Sequence, residues 1–161
     1  MVTEDEMSVL KSKRHESTAE FVNVADQIFV ETMGFLSRMS NRYQRLLAEN
    51  TMNLASEVLD FAEKAQNIRI TDEVTYKLRR EYLEASRASV MALDVHMTHI
   101  WMILMTNPQG AFTNTKGETI SSSNAKARLN GMADSLGDKI DKEKNLITGL
   151  LEADKKKFMS L

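Results

Sequence analysis

Two histidines on the longest predicted helix are the residues best placed to bind a metal ion. His96 and His99 lie three positions apart, so one helix face can present both, and Asp94 is close by. Glu57 and Asp60 have the spacing of a carboxylate pair but fall on different helix faces. A di-iron bundle needs a Glu-x-x-His motif on each of two helices, and the sequence contains none. The pattern favours the alternative, a half-buried histidine at the core edge beside an exposed one.

Other catalytic patterns are absent from the sequence. There is no cysteine, which excludes disulfides, thiol catalysis and cysteine-based zinc sites. The segment 114–117 lacks the glycine pattern of a phosphate-binding loop, and the remaining histidine, His15, lies near the start of the chain. We therefore predict a protein without enzymatic activity, cofactor or bound metal.

An acid-free stretch between Glu31 and Glu49 is the first candidate binding surface. It carries an aromatic residue, Tyr43, among its basic residues. These basic residues are Arg38, Arg42 and Arg45. Guanidinium groups beside an aromatic ring can hold a phosphate backbone. An ordinary solvated helix face would explain the same pattern equally well.

A second basic group is expected at the opposite end of the molecule, where nearby acids dilute it. Its members are Lys11, Lys13, Arg14, Arg69, Lys77, Arg79, Arg80, Lys155, Lys156 and Lys157. Solvated helix faces and termini are the favoured explanation of this group, with a phosphate-binding surface as the alternative. The net charge of −2 also argues against a dedicated nucleic-acid binder, because such proteins are usually strongly basic.

Composition and helical periodicity predict one all-α domain over residues 17–158, preceded by a flexible polar arm over residues 1–16. Apolar residues make up 42% and charged residues 27% of the 161 residues, a balance typical of globular proteins. No glycine or proline occurs between Phe35 and Asn107. The start of the chain does not resemble a signal peptide, and the longest apolar run, Ile100–Met105, is too short to span a membrane. We expect a cytoplasmic protein.

Capping residues and breaks predict four helices, over about residues 17–39, 41–68, 71–106 and 123–157. Ser17 with Glu20 forms a capping-box pattern, and Thr71 followed by two acids starts the third helix. Residues 107–122 are predicted to be a long loop, either disordered or containing a small hairpin. The apolar pattern of the fourth helix lapses over residues 141–145, so a break is expected near residue 141.

The apolar stripes predict an up-down-up-down four-helix bundle. The first helix has one stripe formed by Phe21, Ala25, Ile28, Phe35 and Met39. A second stripe beside it contains Val22, Phe29, Met33 and Leu36. One neighbouring helix cannot cover so wide an arc, so we expect a bundle, an oligomer interface or both. The expected core stripe of the third helix is Leu78, Tyr82, Ala85, Leu93, His96, Ile100 and Ile103.

Several short motifs between residues 13 and 105 resemble a known group of small helical proteins. They are Lys13-Arg14-His15, Glu20-Phe21, Arg42-Tyr43, Asn53-Leu54-Ala55-Ser56-Glu57-Val58, Asn67-Ile68 and Arg79-Arg80-x-Tyr82-Leu83. The group consists of four-helix-bundle proteins encoded beside reverse transcriptases in phages and gut bacteria. It is similar to the accessory variability determinant of diversity-generating retroelements and to the bundle proteins of 23S rRNA intervening sequences.

This resemblance implies a non-enzymatic accessory protein that forms a homo-oligomer, with a pentamer favoured, and binds a reverse transcriptase. The implied contacts with RNA or cDNA carry over to Arg14, Arg42, Arg45, Arg79 and Arg80. The accessory determinants are markedly basic and this chain is not, so oligomerisation and enzyme binding carry over more readily than nucleic-acid binding. The alternative is a protein–protein interaction bundle of a phage or mobile element with no nucleic-acid role.

Overall fold

The computed structural model describes residues 19–113 and 116–161. Over these residues the chain forms four α-helices and one short 3-10 helix, and no strand. The α-helices are α1 (Glu20–Leu36), α2 (Asn41–Gln66), α3 (Glu73–Thr106) and α4 (Ser122–Met159), with the 3-10 helix over Pro108–Phe112. The predicted all-α class is confirmed. The predicted arm, with Arg14, and the capping residue Ser17 lie outside the described residues.

The end of α1 and the start of α3 are among the helix ends that differ from the prediction by a few residues. α1 ends at Leu36, three residues before Met39, where the chain passes through a tight turn into α2. α3 is capped by Asp72, whereas Thr71 was expected to cap it. The Asp72 carboxylate accepts a 2.8 Å hydrogen bond from the backbone N–H of Thr75, whose hydroxyl accepts one of 3.1 Å from the Asp72 N–H. This reciprocal pair satisfies two amides that the helix leaves free, so it fixes the start of α3.

The connection between α3 and α4 contains a 3-10 helix, and the predicted hairpin is wrong over its described part. Pro108 and Ala111 are buried in this short helix. The Arg38 side chain packs on the 3-10 helix. Its guanidinium carbon lies 4.8 Å from the centroid of the Phe112 ring. The same side chain donates a 3.4 Å hydrogen bond to the Ala111 carbonyl. The turn residues Asn114 and Thr115 lie outside the described residues.

Helix α4 is continuous, so the break expected near residue 141 is wrong. The buried positions Ile140, Glu143 and Ile147 continue the inward face with steps of three and four residues. Glu143 occupies a position where helical periodicity calls for an apolar residue. The lapse in the apolar pattern therefore marks a buried carboxyl group on an uninterrupted helix.

One hydrophobic core joins the four helices. α1 packs against α2 and α4, and α3 packs against the same two helices. Every residue of the first predicted α1 stripe is buried, as are Val22 and Leu36 of the second, whereas Met33 is 53% exposed. Most of the wide apolar arc of α1 is therefore covered within one chain.

The core stripe predicted for α3 is right at Leu93 and Ile100, which are buried, and at Tyr82, which packs against the core, but it is wrong at Leu78. His96 and Ile103 are only half-buried, and Leu78 is exposed. Two serines face inward in their place. Ser86 donates a 2.8 Å hydrogen bond to the Val58 carbonyl, and Ser89 donates one of 3.0 Å to the Glu57 carboxylate. These bonds to α2 satisfy the hydroxyls, which removes the penalty of burying them.

Candidate functional site

The first two turns of α2 carry an exposed basic cluster made of Arg42, Arg45 and Tyr43. Tyr43 is 40% exposed, and both arginines are exposed. Among residues 19–113 and 116–161, neither arginine has an acidic side chain within ion-pair distance. The first turn of α2 also contains no acid. Since a helix N-terminus carries partial positive charge, this cluster concentrates positive charge that the described residues leave uncompensated.

Arg38, the third arginine of this stretch, has a structural partner. Its guanidinium group stacks on Phe112 and bonds the Ala111 carbonyl, as described above. Arg128 of α4 lies over the same ring at 5.6 Å from its centroid. Two cations thus share one aromatic ring at the connection between α3 and α4. Arg38 remains exposed, so its charge can add to the field of the α2 cluster.

Arg79 is used inside the molecule. Its side chain is 12% exposed, and its Nε lies 2.6 Å from Oδ2 of Asp154 on α4. Its Nη1 donates a 2.8 Å hydrogen bond to the Ala65 carbonyl near the end of α2. The guanidinium group therefore ties α2, α3 and α4 together and satisfies a helix-terminal carbonyl. Local sequence patterns could not predict this pairing, because Arg79 and Asp154 are 75 positions apart.

Arg80 projects to the surface and pairs along its own helix. Its Nε lies 3.1 Å from the Glu84 carboxylate, with both side chains about half exposed. It also donates a 3.4 Å hydrogen bond to the Tyr76 hydroxyl. The bonds to Glu84 and Tyr76 raise the pKa of Arg80, so the group stays fully charged. Arg80 is accessible to a ligand, but its charge already has a partner.

The two histidines do not form a metal centre with other described residues. His96 is half-buried and His99 is exposed. Over 19–113 and 116–161, no three side chains of histidine, aspartate or glutamate come together as metal ligands. Asp94, the acid nearest to them in sequence, lies 4.0 Å from Lys144 of α4.

Glu143 is the buried ionisable residue that sequence patterns did not reveal. Its side chain is fully buried, and within the described part of the chain neither carboxyl oxygen has a hydrogen-bond partner. Burial raises the pKa of the Glu143 carboxyl to about 8, because the charged form loses its hydration. The carboxyl group is therefore mainly protonated at neutral pH. The only sequence signal was the interrupted apolar period of α4.

A cavity of about 260 Å³ lies between α3 and α4, with Phe35 of α1 contributing to its lining. Its apolar lining comes from Phe35, Met97, Trp101, Ala133, Leu136, Gly137 and Ile140. Its polar lining comes from Asp94, Thr98, Asn130 and Asp134. The Trp101 indole N–H donates a 3.2 Å hydrogen bond to the Asn130 side chain across the two helices. No sequence motif pointed to this cavity, because its walls come from three helices.

Helix α3 also has the length and composition of a membrane-spanning helix. Its most apolar 18-residue window has a mean hydropathy of 1.3, and 33% of that window is buried inside the molecule. The exposed apolar residues of this helix include Met91, Val95 and Met102. Core helices of soluble proteins pass the same test, so this is weak support for membrane insertion.

Comparison of the chain with protein-family models, curated proteins and solved structures gave no match.

Proposed function

We propose that this protein is a non-enzymatic accessory protein of a retroelement-type reverse transcriptase. It acts in the cytoplasm as an oligomeric scaffold that binds the enzyme, with its RNA or cDNA as a further ligand. The observation that carries the proposal is the exposed basic cluster of Arg42, Arg45 and Tyr43. The two guanidinium groups and the N-terminus of α2 all carry positive charge and repel one another. A polyanion that neutralises them therefore binds favourably.

The proposed architecture is an up-down-up-down four-helix bundle. Support comes from the order of contacts between α3 and α4, where residue numbers rise along one helix as they fall along the other. The pairs are Arg79 with Asp154, Arg87 with Thr148 and Trp101 with Asn130. Contacts between α2 and α3 follow the same inverse order, from Ala65 with Arg79 to Val58 with Ser86. Opposite chain directions in consecutive helices are the basis of this bundle type.

Several of the motif residues behind the resemblance have structural roles in the pairing of α2 with α3. Ala55, Val58 and Leu83 are buried, and the Tyr82 ring stacks on Phe61 at 6.1 Å between centroids. Arg79 also has a structural role, because its guanidinium group is paired with the Asp154 carboxylate. The proposed polyanion surface therefore centres on Arg42 and Arg45, with Arg38 and Arg80 as outlying contributors and Arg14 outside the described residues.

Exposed apolar residues support binding to proteins. Leu46, one turn after Arg42 on α2, is 66% exposed, and Val30 and Met33 of α1 are also exposed. Such residues are typical of interfaces when they cluster. They are consistent with a homo-oligomer, for which the resemblance favours a pentamer. They equally favour the second candidate function, a protein–protein interaction bundle of a phage or mobile element with no nucleic-acid role.

Binding to labelled single-stranded RNA and to duplex DNA, followed by fluorescence anisotropy at several salt concentrations, tests the nucleic-acid part. The double variant Arg42→Glu with Arg45→Glu should weaken binding strongly while leaving enough affinity at low salt to measure its salt dependence. Loss of two phosphate contacts should lower the slope of log K against log salt by about 1.4 for single strands and 1.8 for duplex. The matched control, Lys155→Glu with Lys156→Glu, makes the same charge change on α4. Equal loss in both variants would mean that only overall charge matters, which contradicts the proposed site.

Co-purification with a retroelement-type reverse transcriptase tests the partner. Light scattering on a sizing column tests the oligomer, for which a pentamer has five times the 18.3 kDa of one chain. Enzyme binding that persists in high salt, together with absent nucleic-acid binding, would favour the second candidate function. A monomer that captures no polymerase would contradict the accessory role.

A further inference from the structure

The cavity between α3 and α4 has an apolar interior that a small organic group can fill. Phe35 and Ile140 are almost fully buried, and Met97 and Leu136 are also buried, so the lining is part of the hydrophobic core surface. An apolar cavity of about 150 Å³ is sufficient to hold a benzene molecule. A volume of about 260 Å³ therefore accommodates one aromatic ring with a short chain attached.

The charged groups that line this cavity are both carboxylates, Asp94 and Asp134. Asp134 is exposed and, within the described chain, has no basic side chain at ion-pair distance. Asp94 faces Lys144 at 4.0 Å, but that lysine lies nearer to Asp141, at 3.4 Å. The cavity thus combines an apolar interior with negative charge that Lys144 compensates only in part.

The remaining polar lining offers both a hydrogen-bond acceptor and donors, so the preference for a cation comes from the two carboxylates and from the Trp101 ring. The Thr98 hydroxyl already donates a 2.9 Å hydrogen bond to the Asp94 carbonyl, which leaves its oxygen as an acceptor. The Asn130 carbonyl accepts from the indole N–H of Trp101, which leaves the amide N–H groups of Asn130 as donors. The Trp101 ring in the lining adds a surface to which cations are attracted.

Gly137 keeps this cavity open from the α4 side. It lies in the interior of α4, where glycine is less favourable than alanine. A Cβ atom built at this position would meet no heavy atom within 4 Å, so packing against neighbours does not require glycine here. Its effect is to leave space in the cavity wall that a side chain would fill.

We propose that the cavity between α3 and α4 binds a small amphipathic organic cation, with an apolar or aromatic body inside and an ammonium or guanidinium group at Asp94 and Asp134. This site is separate from the basic cluster on α2 and goes beyond the accessory function proposed above.

Trp101 is the only tryptophan in the chain, so its fluorescence reports directly on the cavity. The experiment titrates the full-length protein with 2-phenylethylammonium chloride at constant ionic strength. 2-Phenylethanol and 3-phenylpropionate serve as neutral and anionic analogues of similar size. We expect a saturable change in Trp101 emission with the cation, and affinity at least tenfold higher than for the anion. Absence of a saturable change, or equal affinity for all three compounds, would overturn the proposal.

Three variants locate the binding. Asp134→Asn should weaken binding of the cation about three- to fivefold and leave the neutral analogue unchanged, since the contact is near the surface. Asp138→Asn on the same helix lies outside the cavity lining and should change neither. Gly137→Leu should fill the cavity and abolish binding of all three compounds. If Asp134→Asn and Asp138→Asn have the same effect, the cation binds by general charge and the proposed site is wrong. The variant Arg42→Glu with Arg45→Glu should bind the cation normally, so the two sites are tested independently.

Discussion

Replacing Glu143 with methionine should stabilise the protein at neutral pH. The methionine side chain has nearly the length and volume of glutamate, and the site is fully buried among the inward residues of α4. Glutamate is unfavourable there because its carboxyl oxygens have no hydrogen-bond partner among the described residues. Methionine fills irregular core space without a polar group that needs one. The substitution thus removes a cost and creates no cavity.

The size of the effect follows from the pKa of Glu143. The carboxyl releases its proton near pH 4.5 in the unfolded chain and near pH 8 in the folded one. Between these values the unfolded state binds fewer protons, so stability falls as pH rises, by about 1.4 kcal/mol per pH unit. The accumulated loss is about 1 kcal/mol at pH 5, about 3 kcal/mol at pH 7 and about 4 kcal/mol at pH 8. The loss levels off above the folded pKa.

Urea unfolding at pH 5, 6, 7 and 8 measures this loss. The free energy of unfolding of Glu143→Met should exceed that of the parent by an amount that grows by about 2 kcal/mol from pH 5 to pH 7. The melting temperature at pH 7 should rise by about 6–12 °C for a domain of this size. Glu152→Gln, an exposed acid on the same helix, is the matched control and should show no growing gap. A constant gap for Glu143→Met would refute the assignment of a buried, titrating carboxyl group.

Two further predictions concern the polar contacts that hold α3. Asp154→Asn should lower the free energy of unfolding by about 3 kcal/mol, because it leaves the largely buried Arg79 without its charge partner. The double variant with Arg79→Met should recover much of this loss in urea unfolding, whereas an additive loss would contradict the pairing. Asp72→Ala should lower the melting temperature by a few degrees, and Thr71→Ala by less, since Asp72 is the cap. The bonds from Thr75 lower the pKa of Asp72, so the capping contribution should persist above pH 3.8 and disappear only as pH falls below the lowered value. Equal effects of the two alanine variants would refute this cap.

Periodicity predicted the parts of the fold that depend on local pattern. The five residues of the first α1 stripe are all buried, and the all-α class is confirmed, because apolar spacing at helical period determines which face packs. The capping residue before α3 was wrong by one position. Asp and Thr are both good capping residues, and the backbone N–H groups of Thr71 and Asp72 both donate to the Thr75 hydroxyl. Asp72 differs from Thr71 because its side chain accepts the bond from the Thr75 backbone N–H.

Contacts between helices decided what the local pattern could not. Ser86 and Ser89 lie inward on α3 because α2 offers a carbonyl and a carboxylate as acceptors. Glu143 lies inward because α4 continues through it, although its polarity suggests a surface position. The cavity depends on the joint placement of three helices, so no stretch of sequence contained its signal. For the serines and the cavity, the missing information was the identity of residues on another helix.

The same distinction separates the arginines that hold the fold from those that remain available to a partner. Arg79 and Arg42 are indistinguishable by residue type, but Arg79 is 12% exposed and bonded to Asp154, whereas Arg42 is exposed at the positive end of α2. A buried guanidinium group whose bonds are satisfied gains little from an added anion, because the anion would have to displace an existing partner. An exposed one at a helix N-terminus gains both from direct pairing and from relief of repulsion with the helix dipole. The α2 cluster is therefore where any acidic partner of this protein, nucleic acid or protein, should bind first.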